Sequence, residues 1–272
     1  MPKDSNYQSI TCKLIPKFAF MFKKLKHFFR LLKRVLFIDV LKYYWVVFYK
    51  SKTNKVYSIR LFNGLKITII PKAGDYCTFH EVFIKEDYNI RDKIYPLNIL
   101  DIGANIGFFS LYASKKYDTS KIFSFEPFAP TYKRLNEHLS ANKIKNVFTF
   151  PYAVSDKKGK VNFYSIDWAG ANTLNSDKFD SENCKITEVD CIPFSDIFEL
   201  TKKDSFDLAK IDCEGSEYPM LINASDESIL KIRNFIIEVH TDKVYRAEDL
   251  ILKFNRLGYK TEYKQDILIA SL

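Results

Sequence analysis

Leu97-Asn-Ile-Leu-Asp-Ile-Gly-Ala-Asn-Ile-Gly-Phe-Phe-Ser110 is the stretch that decides the fold. Its apolar run, residues 97–102, predicts a buried strand feeding a glycine turn and then a helix from near Ile106. That is the opening unit of a nucleotide-binding α/β sheet. Gly103 and Gly107 allow a tight turn whose N–H groups approach a ligand with no Cβ in the way. Asp101 ends the strand with a carboxylate at the mouth of the crevice, suited to a cationic amine. Asn105 can tie down the turn or open the helix. The pattern is D-x-G-x-N-x-G rather than the dinucleotide G-x-G-x-x-G. A pyrophosphate would share the turn with the charge of Asp101, whereas an amino acid ammonium plus an adenosine suits it. The bland alternative is a helix-entry turn with no ligand.

Working outward, Lys121-Ile-Phe-Ser-Phe-Glu-Pro127 predicts a second strand ending in Glu126, nineteen residues past Gly107. An acid there accepts hydrogen bonds from both ribose hydroxyls, and Pro127 fixes the turn that aims it. From Leu97 onward strands and helices alternate. This predicts a Rossmann-like α/β domain of about seven strands, mostly parallel, with helices on both faces and one antiparallel strand near the end. Residues 147–152 read as the third strand. The alternation pauses at 161–190, where two strands flank a polar insertion, and resumes at Phe206.

Lys210-Ile-Asp-Cys-Glu-Gly-Ser-Glu217 places Asp212, Glu214 and Glu217 at a strand end, and Ile236-Ile-Glu-Val-His240 adds Glu238 and His240 beside it. A neutral His240 near a carboxylate suits a general base for a hydroxyl. Alternatively, Asp212, Glu238 and His240 could hold a divalent metal that acidifies that hydroxyl. For any one acid alone, a helix N-terminal carboxylate meeting the macrodipole is explanation enough. Cys213 lies between two acids, which disfavours a thiolate.

Hydrophobic residues make up 47% and charged residues 28% of the 272, a globular composition. The five cysteines form no C-x-x-C pair and are odd in number, which points to reduced thiols in a cytosolic compartment. No secretory signal is evident. Charge is uneven. Residues 1–50 carry eleven Lys/Arg against Asp4 and Asp39, so the net +9 lies in that arm, and the remainder (42 − 11 against 33 − 2) is balanced. A basic isoelectric point confined to one arm does not argue for nucleic-acid binding by the rest.

Apolar positions at helical spacing from Phe18 to Leu36 alternate with lysines and arginines, predicting a basic amphipathic helix, followed by an aromatic stretch to Tyr49. Two readings of residues 17–49 stand open: peripheral contact with the inner face of a membrane, or packing on the domain or a second subunit. A β-hairpin turning at Asn63-Gly64 and a helix over 78–87 form a cap. The expected division is an arm at 1–50, the cap at 51–96 and the α/β domain at 97–272.

With these pieces placed, the chain resembles the FkbM family of S-adenosylmethionine-dependent methyltransferases. The carrying motifs, in order, are Asp101–Gly107, Phe125-Glu-Pro127, Ala153-Val-Ser-Asp156, Lys210–Glu217 and Glu238-Val-His240. The resemblance implies a seven-stranded methyltransferase fold and O-methylation. It implies S-adenosylmethionine held by Asp101, Gly103, Ala104, Asn105 and Gly107 at the methionine, and by Glu126, Pro127 and Phe128 at the ribose. A turn bearing Ala153, Val154 and Asp156 would flank the adenine. Asn223 and Ser195 depart from the family pattern, both outside the expected crevice. The expected acceptor is a small molecule, glycan or glycolipid. The rivals are RNA methylation with the arm as a phosphate handle, and a membrane-bound scaffold with a degenerate pocket.

Overall fold

The computed structural model describes residues 28–50, 52–88, 94–165, 173–174, 184–241 and 245–272. Its centre is a seven-stranded sheet in the order β11-β12-β10-β9-β3-β4-β5. The strands are β3 (Asn98–Ile102), β4 (Lys121–Phe125), β5 (Val147–Phe150), β9 (Leu208–Ile211), β10 (Asn234–Glu238), β11 (Lys260–Lys264) and β12 (Ile267–Ser271). β12 runs antiparallel to both its neighbours, and the other adjacent pairs are parallel. The mostly parallel sheet with one late antiparallel strand is the one the alternation predicts.

Alternation along each buried strand divides the core in two. Ile99, Ile122, Leu208 and Ile236 join one apolar cluster, while Leu100, Phe123, Ala209 and Ile237 join the other. On the first face one row across the sheet is polar. Ser124, Asp101 and Lys210 stand in register on β4, β3 and β9. From β3 the chain proceeds outward to β4 and β5, then returns to β9 on the other side. The resulting crevice opens at the carboxyl ends of β3 and β9, where such sheets bind ligands.

The cap hairpin is β1 (Tyr57–Arg60) against β2 (Lys66–Ile69), with Gly64 at φ +84° in the turn. It is clasped to helix Ala129–Ala141. Asn142 exchanges hydrogen bonds with the Lys66 backbone, and Arg134 pairs with buried Asp75. His138 Nδ1 donates to Ile106 O at 2.8 Å, which leaves Nε2 to accept from Thr68 N at 3.1 Å. Burial, which lowers its pKa, favours this neutral form.

Four expectations are corrected. The helix expected over 78–87 is instead a short α-helix, Asp75–Phe79, continuing into a π-helical turn, His80–Lys85. Residues 147–152 do not form one strand: β5 stops at Phe150, and β6 (Ala153–Ser155) joins a separate sheet with β7 (Gly159–Ser165) and β8 (Lys185–Pro193). The predicted adenine-flanking turn is therefore largely strand. The arm helix, of which residues 1–27 lie outside the described residues, does not run to Leu36. Helix ends at Leu32, Val35 bridges to Leu61, and a new helix α1 (Phe37–Tyr49) begins. One face of α1 packs on the hairpin through Val40, Tyr43 and Val46, with Asp39 paired to Arg60. Most of the insertion between β7 and β8 lies outside the described residues.

Candidate active site

The turn after β3 and the turn after β9 touch. Gly103 sits at φ +74°, and a Cβ there would stand 1.8 Å from the carbonyl oxygen of Asp212, so only glycine fits. Gly107, at φ +85°, admits Leu135 of the next helix, whose Cδ1 a Cβ would meet at 2.3 Å. Gly103 and Ala104 donate to Phe125 O at 3.0 and 2.9 Å, which ties the turn to β4.

Asp101 is not at an open mouth. Its carboxyl is fully buried, with Oδ2 accepting from Ser110 Oγ at 2.6 Å and Ser110 in turn 2.8 Å from Ser124 Oγ. Lys210 Nζ donates to Gly103 O at 2.8 Å and lies 3.5 Å from Asp101 Oδ1, which has no hydrogen-bond partner among the described residues. Burial raises the pKa of Asp101 despite the pull of Lys210. Asn105, at φ +50°, also buries an Oδ1 with no donor. The unpartnered Asn105 Oδ1, beside a turn that no Cβ can enter, fits a donor of an ammonium-bearing adenosyl ligand, whereas Asp101, enclosed with Ser110 and Lys210, underpins the turn.

Glu126, at the carboxyl end of β4, is buried. Oε1 accepts from Phe128 N at 2.9 Å and Thr131 Oγ1 at 2.7 Å, and Oε2 accepts from Asn105 N at 2.8 Å. It thus joins the turn after β3 to the turn after β4 and keeps further lone pairs that could accept from a ligand's hydroxyls. Pro127 leads into Phe128, whose ring stacks on Phe163 at 5.4 Å. Ala153 and Val154 are buried, while exposed Asp156 accepts from Asn223 Nδ2 at 2.9 Å. Asn223 thus reaches a predicted cofactor residue rather than lying apart from that region.

The acids after β9 and β10 form two groups. Glu217 is fully buried and accepts from Cys213 N at 2.6 Å and Gly215 N at 2.8 Å, so it braces the turn in which Glu214 adopts φ +54°. His240 joins this group, with Nδ1 3.1 Å from Glu217 Oε1 and Nε2 3.4 Å from Glu214 Oε2. Burial alone would lower the imidazole's pKa, but Glu217 and Glu214 overcome it and push it up to about 10. His240 is therefore an imidazolium at neutral pH and not the neutral base expected from sequence.

The second group is Asp212, Glu238 and Tyr88. Burial would raise Asp212, but Lys210, 3.5 Å away, and His240 hold it below the usual carboxylate range. Burial, then the charge of Asp212, pushes Glu238 up to about 8. Tyr88 Oη hydrogen-bonds Glu238 Oε2 and lies 3.1 Å from Asp212 Oδ2. One phenol proton cannot serve two carboxylates, so a neutral Glu238 supplies the second proton. Glu81, on the π-helical turn, is pushed up to about 7 by burial and then by Asp212.

Three of these residues escaped the sequence reading. Lys210 had a signal, a lysine inside the apolar run Leu208-Ala-Lys-Ile211. Tyr88 and Glu81 had none, because only the fold brings the cap to the sheet. Cys213 is half-buried and its thiol pKa lies well above normal, first from desolvation and then from Glu217, which disfavours nucleophilic use. Among the described residues, Asp212, Glu217 and His240 have ligand atoms within 4.8 Å of one another, a spacing that could hold a metal ion, and Glu238 is not in that group.

Comparison with known proteins matches the chain to methyltransferases. The family model described as "Methyltransferase FkbM domain" covers residues 101–261. The AMB antimetabolite synthetase AmbE of Pseudomonas aeruginosa is 27% identical over 236 residues. The match takes in 70% of this chain but only 11% of AmbE. Methyltransferase sdnD of Sordaria araneosa is 27% identical over 197 residues, which cover 62% of this chain and 76% of that one. Among solved structures, M. jannaschii TYW2 in complex with AdoMet aligns over 80% of this chain and 84% of its own, with TM-score 0.40 and 13% identity. The family match spans more than half of the chain, which accordingly belongs to the FkbM family of S-adenosylmethionine-dependent methyltransferases.

Proposed function

We propose that this methyltransferase methylates a hydroxyl, on a sugar of a glycan or glycolipid precursor or on a hydroxylated natural product. The observation that carries the reading is the contact of Gly103 with the Asp212 carbonyl. It sets the cofactor-side turn directly against the Asp212–Tyr88–Glu238 hydrogen-bonded row. Bound S-adenosylmethionine supplies an already activated methyl. The chain's part is then to hold an acceptor oxygen in line and remove its proton. Glu238 suits the proton-accepting role through its ionised form, which grows as pH rises through about 8 and whose raised pKa makes it a stronger base than an ordinary carboxylate. Asp212, kept ionised by Lys210, suits a hydroxyl donor. Lysine excess is confined to the arm, which disfavours a polyanionic acceptor in the crevice.

A metal-assisted variant draws on the Asp212, Glu217 and His240 spacing. In it an ion would displace one of the two ring protons of His240, the other nitrogen keeping its own, and polarise the acceptor oxygen.

The test is methyl transfer from labelled S-adenosylmethionine to a panel of sugars, glycosides, alcohols and RNA. S-adenosylhomocysteine binding to Glu126→Ala is measured alongside. Expected are label on oxygen, a loss of binding in Glu126→Ala, and a fall in kcat of about 100-fold or more in Glu238→Gln. Wild-type kcat/KM should rise with pH through about 8, a limb that Glu238→Gln lacks. Label on RNA, or unchanged kcat in Glu238→Gln, would overturn the reading. Loss of activity on chelation, restored by divalent metal, would select the metal-assisted variant.

A further inference from the structure

Helix α1 is apolar on two faces. Asp39, Val40, Tyr43 and Val46 face the protein and are buried. Phe37, Ile38, Leu41, Trp45, Phe48 and Tyr49 occupy the opposite arc, spaced along one side of the helix at roughly 100° per residue. They are 60%, 63%, 50%, 46%, 54% and 77% exposed. This outer face contains no charged residue. At half exposure, six side chains of this size leave on the order of 600 Å² of contiguous apolar surface, at the upper end of what a monomer shows and a sign of an interaction site. Val56 and Phe62, from the segment and hairpin beside it, are similarly exposed.

We infer that this face docks in the plane of an anionic membrane surface, a conclusion independent of the acceptor proposed above. Thirteen residues span about 20 Å, short of the ~30 Å of a bilayer core. Among the described residues, no helix is long and apolar enough to cross a membrane. The charge pattern selects the occupant. Lys33, Lys50, Lys52 and Lys55 are exposed before and after the helix. The one acid on α1, Asp39, is buried and paired with Arg60. The sequence that precedes, residues 1–27, adds six lysines against Asp4. A second copy of the chain seated on this face would bring two basic rims together, whereas anionic headgroups complement the rim and the acyl boundary takes the apolar arc. Trp45, with Lys50 over its ring at 5.3 Å, and Tyr49 are the residue types that settle at headgroup level.

The chain has two tryptophans, so Trp168→Phe makes Trp45 the sole reporter. The full chain with this change is mixed with phosphatidylcholine vesicles with and without phosphatidylglycerol. Expected are a blue shift of Trp45 emission with protection from aqueous quencher, and at least about tenfold more binding to the anionic vesicles. Ile38→Glu/Leu41→Glu should lower that binding by about tenfold or more. S-adenosylhomocysteine binding should be unchanged, which separates this result from the fate of the methyl-transfer proposal. An unshifted Trp45 overturns the inference. That holds even if the chain sediments with vesicles, since residues 1–27 would then be the anchor. A dimer dissociated by Ile38→Glu/Leu41→Glu, without vesicle binding, overturns it in favour of a second copy.

Discussion

Replacing Gly103 by alanine tests the contact on which the site is built. Two penalties add. An alanine at φ +74° pays about 1–2 kcal/mol for the left-handed backbone. Its Cβ would also lie 1.8 Å from Asp212 O and 2.8 Å from Asp212 C. Both are backbone atoms of a turn that Glu217 braces, which cannot swing aside as a side-chain tip would, and overpacking of this kind costs about 1–3 kcal/mol. Together they predict roughly 2–5 kcal/mol, a fall in Tm of roughly 5–15 °C for a chain of this size. Gly258→Ala is the control: φ is +92° but nothing lies within 4 Å of its Cβ, so only the backbone penalty remains, worth about 3–6 °C. The function should suffer beyond the stability. Separating the turns displaces Asp101 and Asn105 from Asp212, and S-adenosylhomocysteine affinity should fall about 30-fold or more, some 2 kcal/mol. Differential scanning calorimetry and isothermal titration of both variants supply the comparison. If Gly103→Ala melts with Gly258→Ala and binds the ligand as wild type does, the turns do not meet and the argument fails.

Two further outcomes follow from buried charge. Lys210→Met leaves Asp101 and Asp212 without their shared cation, at a cost of about 3–5 kcal/mol. With the cation gone, both carboxyls would titrate above their unfolded values, so the deficit in Tm should be smaller at pH 4 than at pH 8. A deficit independent of pH would mean that the lysine serves packing alone. In chelator, the wild-type protein should lose stability as pH rises. Glu81 and Glu238 are raised to about 7 and 8 and contribute stability that is full below their unfolded value of 4.5 and lost up to those folded values. His240, raised to about 10, contributes stability that is full below 6.5 and lost as pH climbs through 10. A melting temperature flat from pH 6 to 10 would refute the protonated His240.

Much of the fold was legible because the determining signals are local. Residues 97–110 contain strand, turn and helix in sequence, and Asn63-Gly64 sets a hairpin in two residues. What escaped depends on distant partners. Leu36 continues the helical apolar spacing, yet Val35 pairs with Leu61 across the hairpin and Leu36 N donates to Arg60 O, so strand-like pairing wins over helical period. Residues 151–155 continue an apolar run, but β8 offers Val154 a second sheet, which nothing in the run itself announces. At the site, the clustering of Asp212, Glu214, Glu217, Glu238 and His240 was readable from strand ends. Their protonation was not, because it is set by distances between side chains on separate elements and by the burial that Tyr88 and the cap impose.

Those protonation states decide which carboxylate is free to act. Glu217 and Glu214 are committed to His240, and Glu217 also to two backbone N–H groups, so neither can accept a proton from a substrate without loosening the turn after β9. Asp212 is held ionised by Lys210 and so is a poor proton acceptor, though a good hydrogen-bond acceptor. Asp101 is enclosed behind the turn with Ser110. Glu238 is left, poised near 8 by burial and then by the charge of the Asp212 beside it. The cation that keeps Asp212 charged therefore also sustains the repulsion that raises Glu238. Lys210 touches neither Glu238 nor, on this argument, the acceptor, yet removing it should let Asp212 protonate and take away that part of the Glu238 shift which the Asp212 charge causes, burial keeping the rest. In a weakened Lys210 variant the alkaline limb of the rate profile should accordingly move to lower pH, an effect that a purely structural lysine would not produce.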